Sequence, residues 1–387
     1  MAKPKLIRIT TVPGSLGGLL KGQLKFMNHY FEVIGISSPG DSRSLSDVSK
    51  QEGIRVIPVE MTRKITPLKD LIAVWKLYRI FMEEKPIIVH THTPKAGTLG
   101  MIAAYMARVP HRLHTVAGLP LLEAKGNKRK ILDLVEKLTY RFSTEVYPNS
   151  FGLKEIILNN KYTNEGKLKV IGKGSSNGID TDYFDPKLFS NDDKQALRKK
   201  FNIKPDDYVF IFVGRIVSDK GINELVSAFK DLTIQYANIK LLLVGAPEKK
   251  LDPILPENED YIKKSDFIIE VGWQTDVRPF FSISNSLIFP SYREGFPNVV
   301  MQACAMGIPS VVTNINGCNE LIRDKKNGLV IPVKNIPELK SAMVNIMCEN
   351  DLESSNEIRQ FMIDNYSRNY VHNEILLNYR SLIKEEV

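Results

Sequence analysis

Short apolar runs alternate with helix-period stretches along the whole chain. The first half carries LIRITTV (6–12), FEVIGIS (31–37), IRVIPV (54–59), IIVHTH (87–92), RLHTVA (112–117), EVYPN (145–149) and KLKVIG (167–172), each of strand length. Between them the spacing predicts helices over 68–84, 95–108, 127–143 and 150–160. Strands separated by helices imply right-handed βαβ units and parallel sheets, hence an α/β fold. The alternation pauses at SSNGIDTDYFDPKLFSNDDK (175–194), whose Ser, Asn, Asp, Gly and Pro content suits a linker. It restarts with YVFIFVGR (208–215), KLLLVGA (240–246), FIIEVG (267–272), SLIFPS (286–291), PSVVTN (309–314) and GLVIP (328–332). The expected organisation is an N-terminal domain over 1–175, a linker over 176–194 and a C-terminal domain over 195–350. Helices follow over 351–387, the last expected to pack back on the N-terminal domain. Two open α/β domains imply a cleft, with ligands beyond the carboxyl ends of the strands.

The second half concentrates the chemistry. Strand 208–213 runs into Gly214 and Arg215, then Lys220 and Gly221, then a helix from Ile222. Two cations beside a helix start suit a diphosphate, because free N–H groups and the helix dipole add to their charge. The plainer alternative is a surface Arg and Lys closing a βα loop. Strand 286–290 is followed by Glu294, at a strand end where a carboxylate can bind sugar hydroxyls. Pro297 suits the first turn of the next helix. That leaves the N–H groups near Phe296, Asn298 and Val299 open to an anion. Gln302 lies one turn beyond Asn298, on the same face, where its carboxamide suits a ribose.

Composition narrows the setting. A chain of 387 residues with 43% hydrophobic and 25% charged residues is long enough for two globular cores. Three cysteines, none in a CxxC spacing, argue against a zinc or disulfide framework and for a reducing compartment. Arg8 interrupts the first apolar run, so the start reads as a strand and not as a signal peptide. No run of 18 apolar residues suggests a membrane span. These features point to a cytoplasmic protein. Residues 1–175 hold 28 Lys and Arg against 14 Asp and Glu, a charge of +14, and the remainder carries −5. A phospholipid surface, a phosphorylated acceptor or nucleic acid would each suit the basic half, as would a merely soluble surface. No RRM, helix-turn-helix or zinc-finger signature accompanies it, so nucleic acid is not expected. Leu119, Leu121 and Leu122 beside Lys125, Lys128, Arg129 and Lys130 suit the inner face of an anionic membrane; a solvated loop is the alternative.

Other candidates are weaker by themselves. Gly14, Gly17 and Gly18 follow the first strand as GxxGG, which is not a dinucleotide-binding spacing. By themselves they read as a plain glycine-rich turn. His90, His92, His111 and His114 have metal-ligand chemistry but no carboxylate or cysteine beside them, and no metal is expected. His92 and Lys95, where a loop enters helix 95–108, suit an anion or an acceptor.

GRIVSDKG, EGFPNVVMQACAMGIPSVVT and NGIDTDYFDP together resemble retaining glycosyltransferases of family 4. Their fold is GT-B, two Rossmann-like domains facing across a cleft. TTVPGSLGGLLKGQLKFM, VHTHTPKAGTLGMIAA and RLHTVAGLP resemble the bacterial branch that builds capsules, exopolysaccharides and lipid-linked oligosaccharides. The resemblance implies a nucleotide-sugar donor, a UDP-sugar foremost, and a polyprenyl-diphosphate-linked acceptor. It implies that Arg215 and Lys220 hold the donor pyrophosphate, with Glu294 on the sugar and His114 near the reacting centre. Gly17, Gly18, Gly214, Phe296, Pro297, Asn298 and Val299 would frame the phosphates, with Gly272 and Trp273 near the base. Trp273 equally suits a packed aromatic. The family pattern has a second Glu eight positions after the first, where this chain has Gln302, whose amide can still bond ribose hydroxyls. Neither a metal nor a cofactor is implied. A UDP-sugar epimerase of the same fold, or an inactive anion- or membrane-binding module, are the rival readings.

Overall fold

The computed structural model describes residues 3–40, 44–62, 66–119, 121, 124–248, 252–348 and 352–384. The chain forms two compact units. The first comprises Met1–Gly178 and Arg368–Val387, and the second Ile179–Ser367.

The first unit is built on six parallel strands: β1 (Lys5–Ile9), β2 (Glu32–Ser37), β3 (Arg55–Pro58), β4 (Ile88–Thr91), β5 (His111–Val116) and β6 (Glu145–Pro148). Their order is β3-β2-β1-β4-β5-β6, so the winding direction reverses between β1 and β4. Both faces of the sheet are covered, which is why its strands read as apolar runs rather than alternating ones. Leu6, Val33, Ile88 and Leu113 pack with Val371, Ile375, Leu376 and Tyr379 of the Arg368–Lys384 helix. On the opposite face Ile7, Ile9, Ile34, Ile36 and Val89 meet Leu77 and Phe81 of the Pro67–Glu84 helix and Ala96 to Ala104 of the Pro94–Met106 helix. Pro67 and Pro94 sit at helix starts, where their fixed φ helps and their missing N–H costs nothing.

Two local expectations fail here. KLKVIG (167–172) is not a strand: only an isolated bridge joins Leu168 to Val146. Leu168 and Ile171 are its buried positions, three residues apart, so the segment turns instead of pleating. Gly14, Gly17 and Gly18 do not form a loop but lie inside the Pro13–Leu19 helix. A Cβ at Gly14 or Gly18 would touch nothing within 4 Å.

The second unit repeats the design with β7 (Tyr208–Val213), β8 (Ile239–Val244), β9 (Ile268–Gly272), β10 (Ser286–Phe289), β11 (Ser310–Thr313) and β12 (Gly328–Ile331). Their order, β12-β11-β10-β7-β8-β9, reverses between β7 and β10. Residues 179–194, of linker-like composition, belong to this unit. Phe184 joins its core, Asp185 caps a short turn, and Ser190 closes a capping box with Asp193. Arg359 of the Ser355–Tyr366 helix donates to the carbonyls of Thr181 and Phe184 at 2.8 and 2.6 Å. Asp185, Ser190 and Asp193, among the polar residues that suggested a linker, are thus helix caps. Of the terminal segment read as helical, residues 350, 351 and 385–387 lie outside the described residues.

Tyr379 is fully buried against Phe31, with ring centroids 5.8 Å apart. Tyr379→Ala is expected to cost about 3–5 kcal/mol through the cavity it opens. The measurement is urea unfolding followed by a probe in the first unit.

Candidate functional site

At the β7/β10 reversal of the second unit two loops are held against each other. Gly221, at φ 71°, ends the turn Ser218–Lys220 and caps the Ile222–Leu232 helix. A Cβ there would overlap the carbonyl oxygen of Pro290, so only glycine allows this approach. The Tyr292 N–H donates to the Asp219 carbonyl at 2.9 Å, and Arg293 donates to the Asp219 carboxylate at 2.8 Å. Tyr292 donates its hydroxyl to Glu224 at 2.6 Å. The Asn316 amide donates to the carbonyls of Glu294 and Gly295 at 2.6 and 3.1 Å, and Ser291 donates to the Glu294 carboxylate at 3.1 Å. Glu294 is thereby fixed in main chain and side chain.

Its carboxylate pairs with the Lys220 ammonium, each side chain 17% exposed. The sequence treats these two groups separately, one for phosphate and one for sugar; the fold joins them. Arg215 does not stand as a bare cation beside Lys220. Its half-exposed guanidinium pairs with Glu248, and Asp219 lies 3.8 Å away. The three acids that order these cations, Asp219, Glu248 and Glu294, come from three different loops. Only Glu294 was legible, because the partnership of the others depends on tertiary approach.

Two helices start near this place without a side-chain cap: Ile222–Leu232 and Asn298–Ala305. Pro297 is the N-cap of the second, not part of its first turn, because its ψ of 109° is extended. Phe296 is half-buried against Tyr366, with centroids 5.6 Å apart, while Asn298 is exposed and Val299 and Gln302 are half-buried. Gly214 directly follows β7 and Gly272 ends β9, and Gly272 takes φ 75°. Trp273 is 70% exposed, which excludes the packed-aromatic alternative.

In the first unit the sequence-predicted His90, His92 and His114 are enclosed. The His114 ring is 3% exposed, and its Nδ1 lies 2.8 Å from the Thr91 hydroxyl. Gly97 faces it, and a Cβ there would collide with the ring. Burial lowers the His114 pKa to about 4 against the favourable Thr91 hydrogen bond, so the ring is neutral near pH 7. His90 bonds Tyr379 and Thr115, and His92 accepts from Arg8 at 2.9 Å. Lys95 is held by Asp70 at 2.5 Å. Gly17 is buried within the Pro13–Leu19 helix and Gly18 exposed. Leu119 and Leu121, expected at a membrane, are core residues packed with Tyr140 and Val146; Leu122 lies outside the described residues. Among the described residues no helix is long and apolar enough to cross a membrane.

Two units with parallel sheets of this order are shared with solved structures of the GT-B glycosyltransferase fold. Residues 193–364 match the model described as glycosyl transferases group 1, and residues 20–150 match glycosyl transferase 4-like. The capsular polysaccharide biosynthesis glycosyltransferase CapM of Staphylococcus aureus is 31% identical, covering 100% of this chain and 99% of its own. The UDP-Gal:alpha-D-GlcNAc-diphosphoundecaprenol alpha-1,3-galactosyltransferase of Escherichia coli is 28% identical over 89% of this chain and 88% of its own. Among solved structures, Anabaena HepE in complex with UDP and glucose superposes with a TM-score of 0.75 at 18% identity, over 98% of this chain and 100% of its own. The chain belongs to the family 4-type GT-B glycosyltransferases.

The buried histidines set an acid limit. Unfolded, His114 takes up a proton near pH 6.5; folded, it refuses one until about pH 4. His372 is likewise pushed down to about 3, chiefly by burial. Stability is therefore complete above about pH 6.5 and falls as the pH drops toward 4, by roughly 3 kcal/mol for His114 alone. Urea midpoints at descending pH are expected to show this slope, and His114→Gln to flatten it.

Proposed function

We propose that this protein is a retaining glycosyltransferase that moves a sugar from a nucleoside diphosphate, UDP foremost, to a saccharide on a polyprenyl diphosphate. The products would feed surface polysaccharide or oligosaccharide assembly. The Lys220–Glu294 pair at the β7/β10 reversal carries this reading, framed by Gly221 and two uncapped helix starts. The donor and the diphosphoundecaprenol acceptor in the name of the Escherichia coli relative, and the UDP bound by HepE, support it.

In this reading the donor diphosphate takes Lys220 away from Glu294. The freed carboxylate then accepts hydroxyls of the donor sugar, while Arg215 and the amides of Asn298 and Val299 share the phosphate charge. The glycosidic bond to the phosphate breaks through an oxocarbenium-like state as negative charge builds on the departing oxygen. Stabilising that charge is where Lys220 acts. The acceptor hydroxyl attacks from the leaving-group face and gives its proton to the departing phosphate, which retains configuration. His114 enters as a neutral imidazole, Gln302 bonds the ribose, and Trp273 offers its exposed face to the base. His92 and Lys95 lie in the acceptor-binding unit. Lys220→Ala is expected to cost about 2–4 kcal/mol of transition-state stabilisation. Turnover of UDP-sugars with a polyprenyl-diphosphate saccharide measures it; near-normal kcat in a folded variant would remove the phosphate assignment.

We also propose that the first unit rests on the anionic inner face of the cytoplasmic membrane. Support comes from the Pro67–Glu84 helix, where Leu68, Leu71, Ile72 and Trp75 are exposed at helical spacing. Exposed Lys69, Lys76 and Arg79 flank them, and Arg79 lies 5.0 Å over the Trp75 ring. Ile131 and Leu134, exposed beside Lys128, Lys130 and Lys137 on the Gly126–Phe142 helix, have the same character. An apolar stripe with basic neighbours suits an anionic interface. Leu71→Glu with Trp75→Glu is expected to weaken co-sedimentation with phosphatidylglycerol vesicles at least about tenfold. Unchanged binding would remove this helix from the interface.

A further inference from the structure

The two loops that meet at the β7/β10 reversal are joined by two ion pairs of opposite sense. On the first loop Asp219 directly precedes Lys220; on the second Arg293 directly precedes Glu294. Lys220 pairs with Glu294, and Arg293 donates to the Asp219 carboxylate at 2.8 Å. Each loop thus carries an acid and a cation side by side, and each charge meets its opposite on the other loop. In the function proposed above Lys220 and Glu294 face the donor, whereas Asp219 and Arg293 have no part in that scheme.

Asp219 is tied down more firmly than a lone surface acid. Its N–H donates to Asp252 Oδ2 at 2.7 Å, and its carbonyl accepts from the Tyr292 N–H at 2.9 Å. Its side chain is 19% exposed, and its Oδ1 is buried without a hydrogen-bond donor. The charge is answered through Oδ2, which takes the half-exposed Arg293 at 2.8 Å and lies 3.8 Å from Arg215 Nη2. Exposed ion pairs contribute little, because water screens them and both side chains must be ordered. Here the main chain on both sides of the acid is already fixed and water reaches little of the carboxylate. The two pairs also respond differently to a diphosphate. In the proposed reaction Lys220 leaves Glu294 for phosphate, and the inner link opens. What then joins the loops is the Tyr292–Asp219 main-chain bond, the approach of Gly221 to Pro290, and the Asp219–Arg293 pair. Of these the ion pair acts nearest to Glu294, through its immediate neighbour. The Asn316 bonds fix Glu294 to the loop after β11 and not to the loop of Lys220.

We propose that Asp219, with Arg293 as its partner, is a positioning residue of the donor site that keeps the loop of Lys220 in register with the loop of Glu294 once a donor diphosphate has drawn Lys220 away. This rests on the donor reading proposed above. Slippage of the loops matters more to the reaction than to binding. The attraction between a cation and a diphosphate falls slowly with distance, whereas the alignment of a reacting sugar tolerates little displacement. Before the donor arrives, the Lys220–Glu294 pair holds the loops by itself.

The test measures kcat and donor KM of the full chain with a UDP-sugar and a polyprenyl-diphosphate saccharide, beside urea unfolding of each variant. Asp219→Asn and Arg293→Gln should each lower kcat at least about fivefold, with donor KM within about twofold and the unfolding midpoint unchanged. The double variant Asp219→Asn with Arg293→Gln should be no slower than the slower single one, because the two groups act through one bond. Arg293→Lys keeps a cation at the carboxylate and should hold kcat within about threefold of the unaltered chain. Should Asp219→Asn fail to fold, Arg293→Gln against Arg293→Lys decides the matter. Unchanged kcat in both single variants, a rise in donor KM alone, a fall in kcat that only follows loss of folded protein, an equal fall with Arg293→Lys, or additive losses in the double variant overturns the proposal. Absence of turnover by the unaltered chain removes the transferase reading and this inference with it; turnover that the variants leave unchanged removes this inference alone.

Discussion

The second unit depends on the closeness of two loops that leave neighbouring strands in the same direction. Parallel strands with helices on both faces leave room for a ligand where the winding reverses, and here the reversal lies between β7 and β10. Gly221 lets the first loop touch the carbonyl of Pro290 on the second. That contact sets Lys220 against Glu294, and the hydrogen bonds of Ser291, Asn316 and Tyr292 keep it there. A side chain at 221 would separate the loops and dissolve the arrangement without touching either charged residue.

The first unit uses the same reversal differently. Its polar groups are inside: Arg8, His90 and His92 lie at the carboxyl ends of β1 and β4, with Tyr379 from the far end of the chain bonded to His90. The second unit offers cations paired with acids, whereas in the first Arg8 bonds the neutral side chains of His92 and Gln23.

Much of this was legible in the residues. Twelve of thirteen expected strands form, because sheets covered on both faces write themselves as apolar runs. The exception, KLKVIG, imitates a strand in composition but buries positions three apart. Glu294, Lys220 and Gly221 were legible because the turn, the strand end and the helix start are each local. Lys220 pairing with Glu294, Asp219 bonding Arg293 and Lys95 held by Asp70 were not, since sequence separation hides them. Arg8 gave a signal, a charge in the middle of an apolar strand. The sequence supported its reading as a break in hydrophobicity but not the buried role that the fold gives it. The Gly14-Gly17-Gly18 turn failed for a different reason: Pro13 at the helix start outweighs the modest cost of three glycines in seven residues.

The Arg368–Lys384 helix has a consequence for how the protein is made. The second unit is one unbroken stretch, Ile179–Ser367, inserted into the first. As the ribosome extends the chain, that stretch has every partner it needs once Ser367 emerges. The first unit began earlier but lacks Tyr379, Val371 and Ile375 until the following residues arrive. The younger unit can therefore mature before the older one, and the apolar face around Leu6, Val33 and Leu113 waits only partly covered through the synthesis of the whole insertion. A nascent chain stalled before residue 368 would present that face to chaperones, with the second sheet already closed beside it in sequence.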